Sequence, residues 1–232
     1  IDLKEGDGLD EARSHLALAL SLPVERISLL SAEVPISCNE SEIKCRDAAP
    51  CMEDNAGCFQ VYVLPDPLEA DFAKRCNVES FKDLFEARAV ALRRCFLSGL
   101  PEQIGQCCRL RLLDLNTCQL KMLPDSIGQL VSLRTLLLTY NHLHELPDTF
   151  GKLSALEGLN LTHNRLVCLP DTFSALLNLQ EFNCSHNQLL ALPWNFGGLT
   201  ALQKLDLSDN QLNALPDAFC ELSSLQCLWL GD

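Results

Sequence analysis

Residues 133–147 read LRTLLLTYNHLHELP, and this stretch decides the fold. Leu136 and Leu138 alternate with period two, which predicts a short strand with one buried face. Asn141 follows the strand, and a buried amide there can satisfy backbone groups of neighbouring turns. The remaining apolar positions of the unit are Leu133, Leu143 and Leu146, followed by Pro147.

The pattern L-x-x-L-x-L-x-x-N-x-L-x-x-L-P recurs in steps of 23 residues. Its other copies are Leu156–Pro170 and Leu202–Pro216, which are complete, Leu179–Pro193 with Phe182 and Cys184 at two leucine positions, Leu110–Pro124 with Cys118 at the asparagine position, a degenerate Ala87–Pro101, and a partial copy from Leu225. One such unit cannot bury its leucines alone. Stacked units are therefore predicted to form a parallel ladder with strands ~4.8 Å apart and a face roughly 30 Å long.

These repeats resemble the leucine-rich repeat family, in the 23-residue form of Ras-group-related intracellular scaffolds. The resemblance covers residues 81–232. It implies an α/β solenoid whose parallel β-ladder lines the concave face, a role in cytoplasmic signalling, and a protein partner such as a small GTPase. The first unit is predicted to start near Phe81, with the residues just before it as a cap. With no C-terminal cap in the sequence, further repeats are expected downstream.

Residues 1–80 are predicted to form a small α/β region of their own. The apolar spacing from Leu9 to Leu20 predicts a helix, and Val24–Leu30 and Cys58–Leu64 are predicted strands. Residues 9–64 also resemble part of a ubiquitin-like β-grasp domain. This resemblance implies that the hairpin which precedes the helix in that family is truncated here. The alternative is an irregular α/β cap.

The chain has 13 cysteines, and many of those in the repeats stand where apolar residues belong. An odd total with adjacent Cys107 and Cys108 does not fit a disulfide framework, so a reducing compartment is predicted. A polar insertion, residues 38–58, holds Cys38, Cys45, Cys51 and Cys58. Their spacing lacks a tight C-x2-C pair, which favours unpaired thiols over zinc ligands or disulfides.

Charge is unevenly distributed along a chain with a net charge of −13. Residues 1–80 carry seven basic and 16 acidic side chains, residues 82–134 carry eight and five, and residues 135–232 carry three and ten. The acidic balance argues against nucleic acid as a partner, because binding to phosphates needs clustered cations. No apolar run is long enough to span a bilayer, so membrane insertion is not expected.

The sequence shows no catalytic constellation. It has no glycine-rich phosphate loop, no G-x-S-x-G elbow and no H-E-x-x-H motif. A metal or acid–base site needs several converging ligands, and none is evident among the five histidines. The prediction is therefore a protein that is not an enzyme and needs no cofactor or metal.

Partner contacts are predicted on the outward-facing strand positions and on the residue before each ladder asparagine. Tyr140, His163, His186 and Asp209 should form one row there, because equivalent residues of adjacent repeats stack at the strand spacing. Exposed aromatic and apolar groups ringed by polar ones are typical of interface hot spots. The complete predicted set is Arg93, Arg94, Asp114, Leu137, Tyr140, Asn160, His163, Asn183, His186, Asp206, Asp209 and Trp229.

Two other functions remain open from the sequence. The chain could be the targeting module of a larger enzyme, such as a kinase or a ubiquitin ligase, with the catalytic part outside residues 1–232. It could also be an extracellular receptor domain, which the cysteine usage disfavours. The predicted function is a non-catalytic scaffold that binds a protein on its concave face.

Overall fold

The computed structural model describes residues 27–31, 59–63, 67–78 and 80–231, with the backbone alone for the first two ranges and for Pro67. The chain divides into two compact units, residues 1–66 and 67–232. In the first unit, β1 (Ile27–Ser31) pairs antiparallel with β2 (Phe59–Val63). These are the two strands predicted from the sequence. The predicted helix at residues 9–20 and the cysteine-rich insertion lie outside the described residues, and the ubiquitin-like resemblance stays a prediction.

The second unit is a stack of parallel strands, one from each repeat, in sequence order. Its seven strands are β3 (Ala89–Ala91), β4 (Leu112–Asp114), β5 (Thr135–Leu137), β6 (Gly158–Asn160), β7 (Glu181–Asn183), β8 (Lys204–Asp206) and β9 (Cys227–Trp229). Each strand pairs in register with the next at the 23-residue step, as in Leu136 beside Leu159. The middle residue of a strand points to the core, so the flanking residues form the opposite face, called here the concave face.

Short 3₁₀ helices return the chain on the side of the core opposite the sheet. They are Phe81–Leu84, Glu102–Gln106, Asp125–Gln129, Asp148–Lys152, Asp171–Ala175, Phe196–Gly198 and Asp217–Glu221. Their phenylalanines form a second buried stripe: the rings of Phe150, Phe173 and Phe196 stack with centroids 6.1–6.2 Å apart and planes within 5°. Phe219 continues the stack.

A ladder of asparagines ties the turns together, as the sequence predicts. Asn141 is 3 % exposed, and its Oδ1 accepts hydrogen bonds from the backbone N–H groups of Cys118 and Leu120. Its Nδ2 donates to the carbonyls of Leu115 and Leu138, each at 2.9 Å. Asn164, Asn187 and Asn210 make the same two donations, and each accepts one backbone N–H, from Leu143, Leu166 and Leu189 respectively. Each amide thus satisfies backbone groups of two adjacent repeats that would otherwise be buried unpaired.

Cys118 shows what happens where the asparagine is missing. Its thiol donates to the carbonyl of Leu92 at 2.7 Å, but a thiol offers only one weak donor and no strong acceptor. The N–H of Leu97 therefore bonds to the backbone carbonyl of Cys118 at 3.1 Å, and the next residue, Gln119, takes a positive φ of 60°.

The N-terminal end of the repeat unit is covered by α1 (Pro67–Arg75). Phe72 of α1 is fully buried, and its ring lies 5.8 Å from that of Phe81 in the first repeat. The helix ends at Arg75, and Asn77, two residues later, has a φ of 57°, which lets the N–H of Val78 bond to the carbonyl of Ala73. The compact unit of the repeats thus begins at Pro67, and its first segment is the cap that the sequence predicts just before Phe81. None of the described helices is long and apolar enough to cross a membrane.

Candidate protein-binding face

Strand pairing brings one predicted contact residue per repeat into a single column of the concave face. Asp114 pairs with Leu137, Leu137 with Asn160, and the column continues through Asn183, Asp206 and Trp229. Trp229 is 49 % exposed, whereas Leu137 and Asn160 are half-buried. The column therefore offers apolar groups at positions 137 and 229, with amide and carboxylate groups between them.

Asp114 differs from the prediction, which has it exposed. Its side chain is only 1 % exposed, because Arg93 lies over it with Nε 2.5 Å from Oδ2. The other carboxylate oxygen accepts the N–H of Asn116 at 3.2 Å. Asp114 thus holds Arg93 in place, and the surface that a partner meets at this repeat is the guanidinium of Arg93, whose side chain is 69 % exposed.

Hydrogen bonds between repeats join the polar residues in the middle of the face. Thr162 donates from Oγ1 to Oδ1 of Asn183 at 2.7 Å, and Nδ2 of Asn183 donates to Oδ2 of Asp206 at 3.0 Å. Ser185, which is 6 % exposed, also donates to Oδ1 of Asn183. These groups are already oriented, so a partner that binds them loses little entropy in ordering side chains.

The turn after each strand carries the predicted polar row. The imidazole of His163 is sandwiched between two rings: its centroid lies 4.2 Å from that of Tyr140 and 4.1 Å from that of His186. Nδ1 of His186 lies 3.2 Å from Oδ2 of Asp209. All four residues have φ between 53° and 56°, a left-handed conformation shared by Arg94 and Thr117 in the same column. Equivalent residues of four successive repeats thus form one continuous row.

Electrostatics within the row favour a neutral His163. Burial between its neighbours lowers the pKa of His163 below 6.5, and the positive charge of a protonated His186 lowers it further. Asp209 acts in the opposite direction. At neutral pH the middle of the stack is therefore an uncharged aromatic surface.

A shallow groove of about 410 Å³ runs along this row. Beside the predicted residues it is lined by four polar side chains that the prediction does not include: Thr117, Gln119, His142 and Arg165. His142 and Arg165 each directly follow a ladder asparagine. The sequence could have predicted this position, because the 23-residue register places each of them between a ladder asparagine and a buried leucine.

The N-terminal end of the unit is rich in arginine, but not all of these charges are available to a partner. Arg93 is held by Asp114, and Arg134 donates to Glu157 at 3.0 Å. Arg94 and Arg111 are exposed and have no acidic partner within residues 67–78 and 80–231. Arg88, whose carbonyl accepts the N–H of Arg111 at 2.8 Å, is also exposed and has no acidic partner in the same described ranges. The prediction does not include it.

The described residues contain no group of three His, Cys, Asp or Glu side chains placed to hold a metal ion. The four cysteines from Cys38 to Cys58, weighed above as zinc ligands, lie outside that part of the chain. In the row itself, only His186 and Asp209 approach one another as ligands would. The arrangement presents ring faces and hydrogen-bonding groups, which suits contact with a protein surface.

Two family models match the chain. One, described as a leucine-rich repeat region, matches residues 54–181, and the other, described as two copies of leucine-rich repeats, matches residues 177–219. No curated protein gives a match.

Solved structures resemble the chain over its repeats. The crystal structure of PEPR1–AtPEP1 is 30 % identical, with a TM-score of 0.57 over 61 % of this chain and 21 % of that one. An internalin from Listeria monocytogenes is 18 % identical, with a TM-score of 0.52 over 62 % of this chain and 41 % of that one. A repeat protein of Leptospira interrogans is 30 % identical, with a TM-score of 0.49 over 61 % of this chain and 48 % of that one. The chain thus spans less than half the length of each.

Proposed function

The chain belongs to the leucine-rich repeat family, and from that premise we propose that it is a non-catalytic scaffold that binds a protein partner on its concave face. The observation that carries this proposal is the stacked row from Tyr140 to Asp209. Tyr140 is 57 % exposed and has no role in the core, yet its ring is fixed by His163. A rigid aromatic side chain in a polar surround is the composition of an interface hot spot.

Charge is proposed to orient the partner on this face. The exposed guanidinium groups of Arg94 and Arg111 lie at one end of the sheet, and Asp206 and Asp209 lie near the other. A partner with the reverse polarity would associate faster in one orientation, mainly through its association rate. The middle of the face, with Leu137 and Tyr140, would then contribute most of the affinity.

The partner and its compartment are proposed more specifically from the resemblance to Ras-group-related scaffolds. We propose intracellular signalling in the cytoplasm, with a small GTPase as the class of partner to test first. Free thiols support this: the nine cysteines of the described part of the chain are unpaired, and Cys107, Cys118 and Cys184 are buried in the core as small apolar residues.

The proposal is tested by the kinetics of binding to a panel of purified small GTPases, each in its GDP form and with a GTP analogue. For any member that binds, Tyr140→Ala should weaken binding by about 1–3 kcal/mol. Arg94→Glu should instead slow association, most visibly at low salt, because Arg94 acts by long-range attraction.

Matched controls change the same chemistry elsewhere. Leu177→Ala truncates an apolar side chain that is 59 % exposed in the turn after the 3₁₀ helix Asp171–Ala175. Lys121→Glu reverses an exposed charge in the loop between β4 and the 3₁₀ helix Asp125–Gln129. Both should bind like the parent. If Tyr140→Ala and Arg94→Glu also bind like the parent, the concave face is not the binding surface. If no GTPase binds in either state, the small-GTPase partner is wrong.

A further inference from the structure

Trp194 interrupts a column of acidic residues on the edge of the repeats. In the other repeats the residue straight after the Leu-Pro pair is acidic: Glu102, Asp125, Asp148, Asp171 and Asp217. Trp194 stands at the equivalent position and is 74 % exposed. It lies on the loops that lead to the 3₁₀ helices, and no core or concave-face role accounts for it.

The 3₁₀ helix that follows Trp194 is shorter than those of the neighbouring repeats. The 3₁₀ helix after Trp194 is only three residues long, Phe196–Gly198, whereas its neighbours Asp171–Ala175 and Asp217–Glu221 have five. An acidic residue at the start of such a turn stabilises the free N–H groups, and this repeat lacks it. A local break in an otherwise consistent pattern is typical of a functional position.

Exposed apolar side chains precede Trp194 in its own repeat and in the repeat before it. Val167 is 41 % and Leu190 is 48 % exposed, and the N–H of Leu190 bonds to the carbonyl of Val167 at 3.2 Å, so the two are stacked neighbours. Cys168 and Ala191, which follow them, are also exposed. Ala191 and Trp194 are three residues apart, so their Cα atoms are at most ~11 Å from each other. We call Val167, Cys168, Leu190, Ala191 and Trp194 the Trp194 patch.

Negative charge flanks the Trp194 patch. Asp171 and Asp217 occupy the repeats before and after Trp194 in its own column, and neither carboxylate has a cationic partner within residues 67–78 and 80–231. The nearest cations along the chain are engaged elsewhere: Arg165 lines the groove beside the histidine row, and Lys204 donates to Glu181 at 2.6 Å. A second copy of the patch would bring like charges together, so the charges select against self-association.

We propose that the Trp194 patch is a second docking surface, separate from the concave face, for an amphipathic basic segment of another protein. Apolar side chains of that segment cover Trp194 and Leu190, and its lysines or arginines lie against Asp171 and Asp217. Desolvation of a large aromatic ring supplies affinity, and the paired charges set the position.

The test uses fluorescein-labelled helical peptides of leucine and lysine, with matched peptides in which serine replaces leucine or glutamate replaces lysine. Their anisotropy is followed against the chain and against Trp194→Asp, which restores the residue type of the column. The leucine–lysine peptide should bind the parent, and Trp194→Asp should weaken binding by about tenfold or more, as for loss of an aromatic hot spot. The other two peptides should bind weakly or not at all.

Whether Trp194→Asp weakens or strengthens peptide binding distinguishes the proposal from simple charge attraction. Trp194→Asp adds a negative charge, so a peptide held only by charge would bind the variant more tightly, and that result would overturn the proposal. Trp229→Asp, which changes the concave-face tryptophan in the same way, should bind the peptide like the parent. A thermal melt of Trp194→Asp no lower than that of the parent excludes unfolding as the cause of weaker binding.

Two further measurements test whether a second copy of the chain or a lipid surface covers the Trp194 patch instead. Sedimentation velocity of the chain alone should show that Trp194→Asp leaves the association state unchanged, and a dimer that this variant dissolves would assign the patch to a second copy. Neutral phosphatidylcholine vesicles should not co-float with the chain. Flotation that is lost in Trp194→Asp would assign the patch to a lipid surface instead.

Discussion

At the scale of single residues, the turn before each ladder asparagine carries the most information about function. Tyr140, His163 and His186 hold a left-handed backbone conformation that side chains other than glycine rarely adopt. The fold offsets this strain by hydrogen bonds such as that from the N–H of Tyr140 to the carbonyl of Thr162 at 3.0 Å, and by the ring stacking. Tyr140 and His186 are thus both strained and exposed, a combination that is typical of binding sites.

The row predicts an unusual titration of His163. Its pKa lies below 6.5 because of burial and the charge of His186, while Asp209 opposes both. His186→Gln should therefore raise the pKa of His163, and Asp209→Asn should lower it. Imidazole proton shifts followed by NMR against pH measure both changes. Equal midpoints in the parent and both variants would show that the three side chains do not interact in solution.

The same lowered pKa links the row to stability. The unfolded chain binds a proton at His163 more readily than the folded chain does, because the folded pKa is the lower one. The contribution of His163 is thus complete above pH 6.5 and is lost as pH falls through the folded pKa. The urea midpoint should therefore fall between about pH 7.5 and about pH 5.5, and this fall should be larger for the parent than for His163→Asn. An equal fall in both would contradict this.

At the scale of elements, the 3₁₀ helices pack on each other through a column of small residues. A Cβ added to Gly128, Gly151 or Gly197 would overlap the backbone carbonyl of the next repeat, Thr149, Thr172 and Ala218 respectively. This close approach lets the phenylalanine rings behind the helices stack at 6.1–6.2 Å. The packing of these elements therefore depends on the absence of a side chain as much as on the phenylalanines.

Two glycines of one repeat test this packing against each other. Gly151→Ala should destabilise the chain by about 1–3 kcal/mol, because the new methyl group overpacks the contact with Thr172. Gly158→Ala places its methyl group in open space on the concave face and should be neutral or stabilising by about 0.5–1 kcal/mol. Urea denaturation measures both. A Gly151→Ala variant as stable as Gly158→Ala would show that the neighbouring helix moves away without cost.

At the scale of the whole molecule, the stack of repeats presents two chemically different surfaces. The concave face combines exposed arginines at one end with a hydrogen-bonded polar centre, and the Trp194 patch is apolar with carboxylates around it. Together they would let one chain hold two partners of different charge at once. Such a pairing of surfaces on a rigid support is what a scaffold requires.

The thiols of the whole chain test the proposed compartment. Denatured protein, purified without oxidation, should react with close to all 13 equivalents of a thiol reagent. In the folded protein the exposed Cys108, Cys168 and Cys220 should react first. Burial raises the pKa of Cys76 and Cys107 to about 11, so at about pH 8 only about one in a thousand of these thiols is ionised, and they should react slowly. Blocked thiols that a reductant restores would favour an extracellular protein.

The sequence by itself determined the repeat architecture. The 23-residue period brings every position beside its equivalent in the next repeat, so strands, asparagine ladder, phenylalanine stripe and histidine row are all readable from spacing alone. The ladder and the ring stacks agree with that prediction because each depends only on neighbours one period away.

Only the tertiary structure decided which polar residues face a partner. Asp114 belongs to the outward column by its register, yet Arg93 lies over it, because a long side chain in one column can cover a short one in the next. Asn183 likewise accepts a hydrogen bond from Thr162, which belongs to the neighbouring column in the preceding repeat. Both arrangements depend on contacts across columns, which a one-dimensional period does not specify.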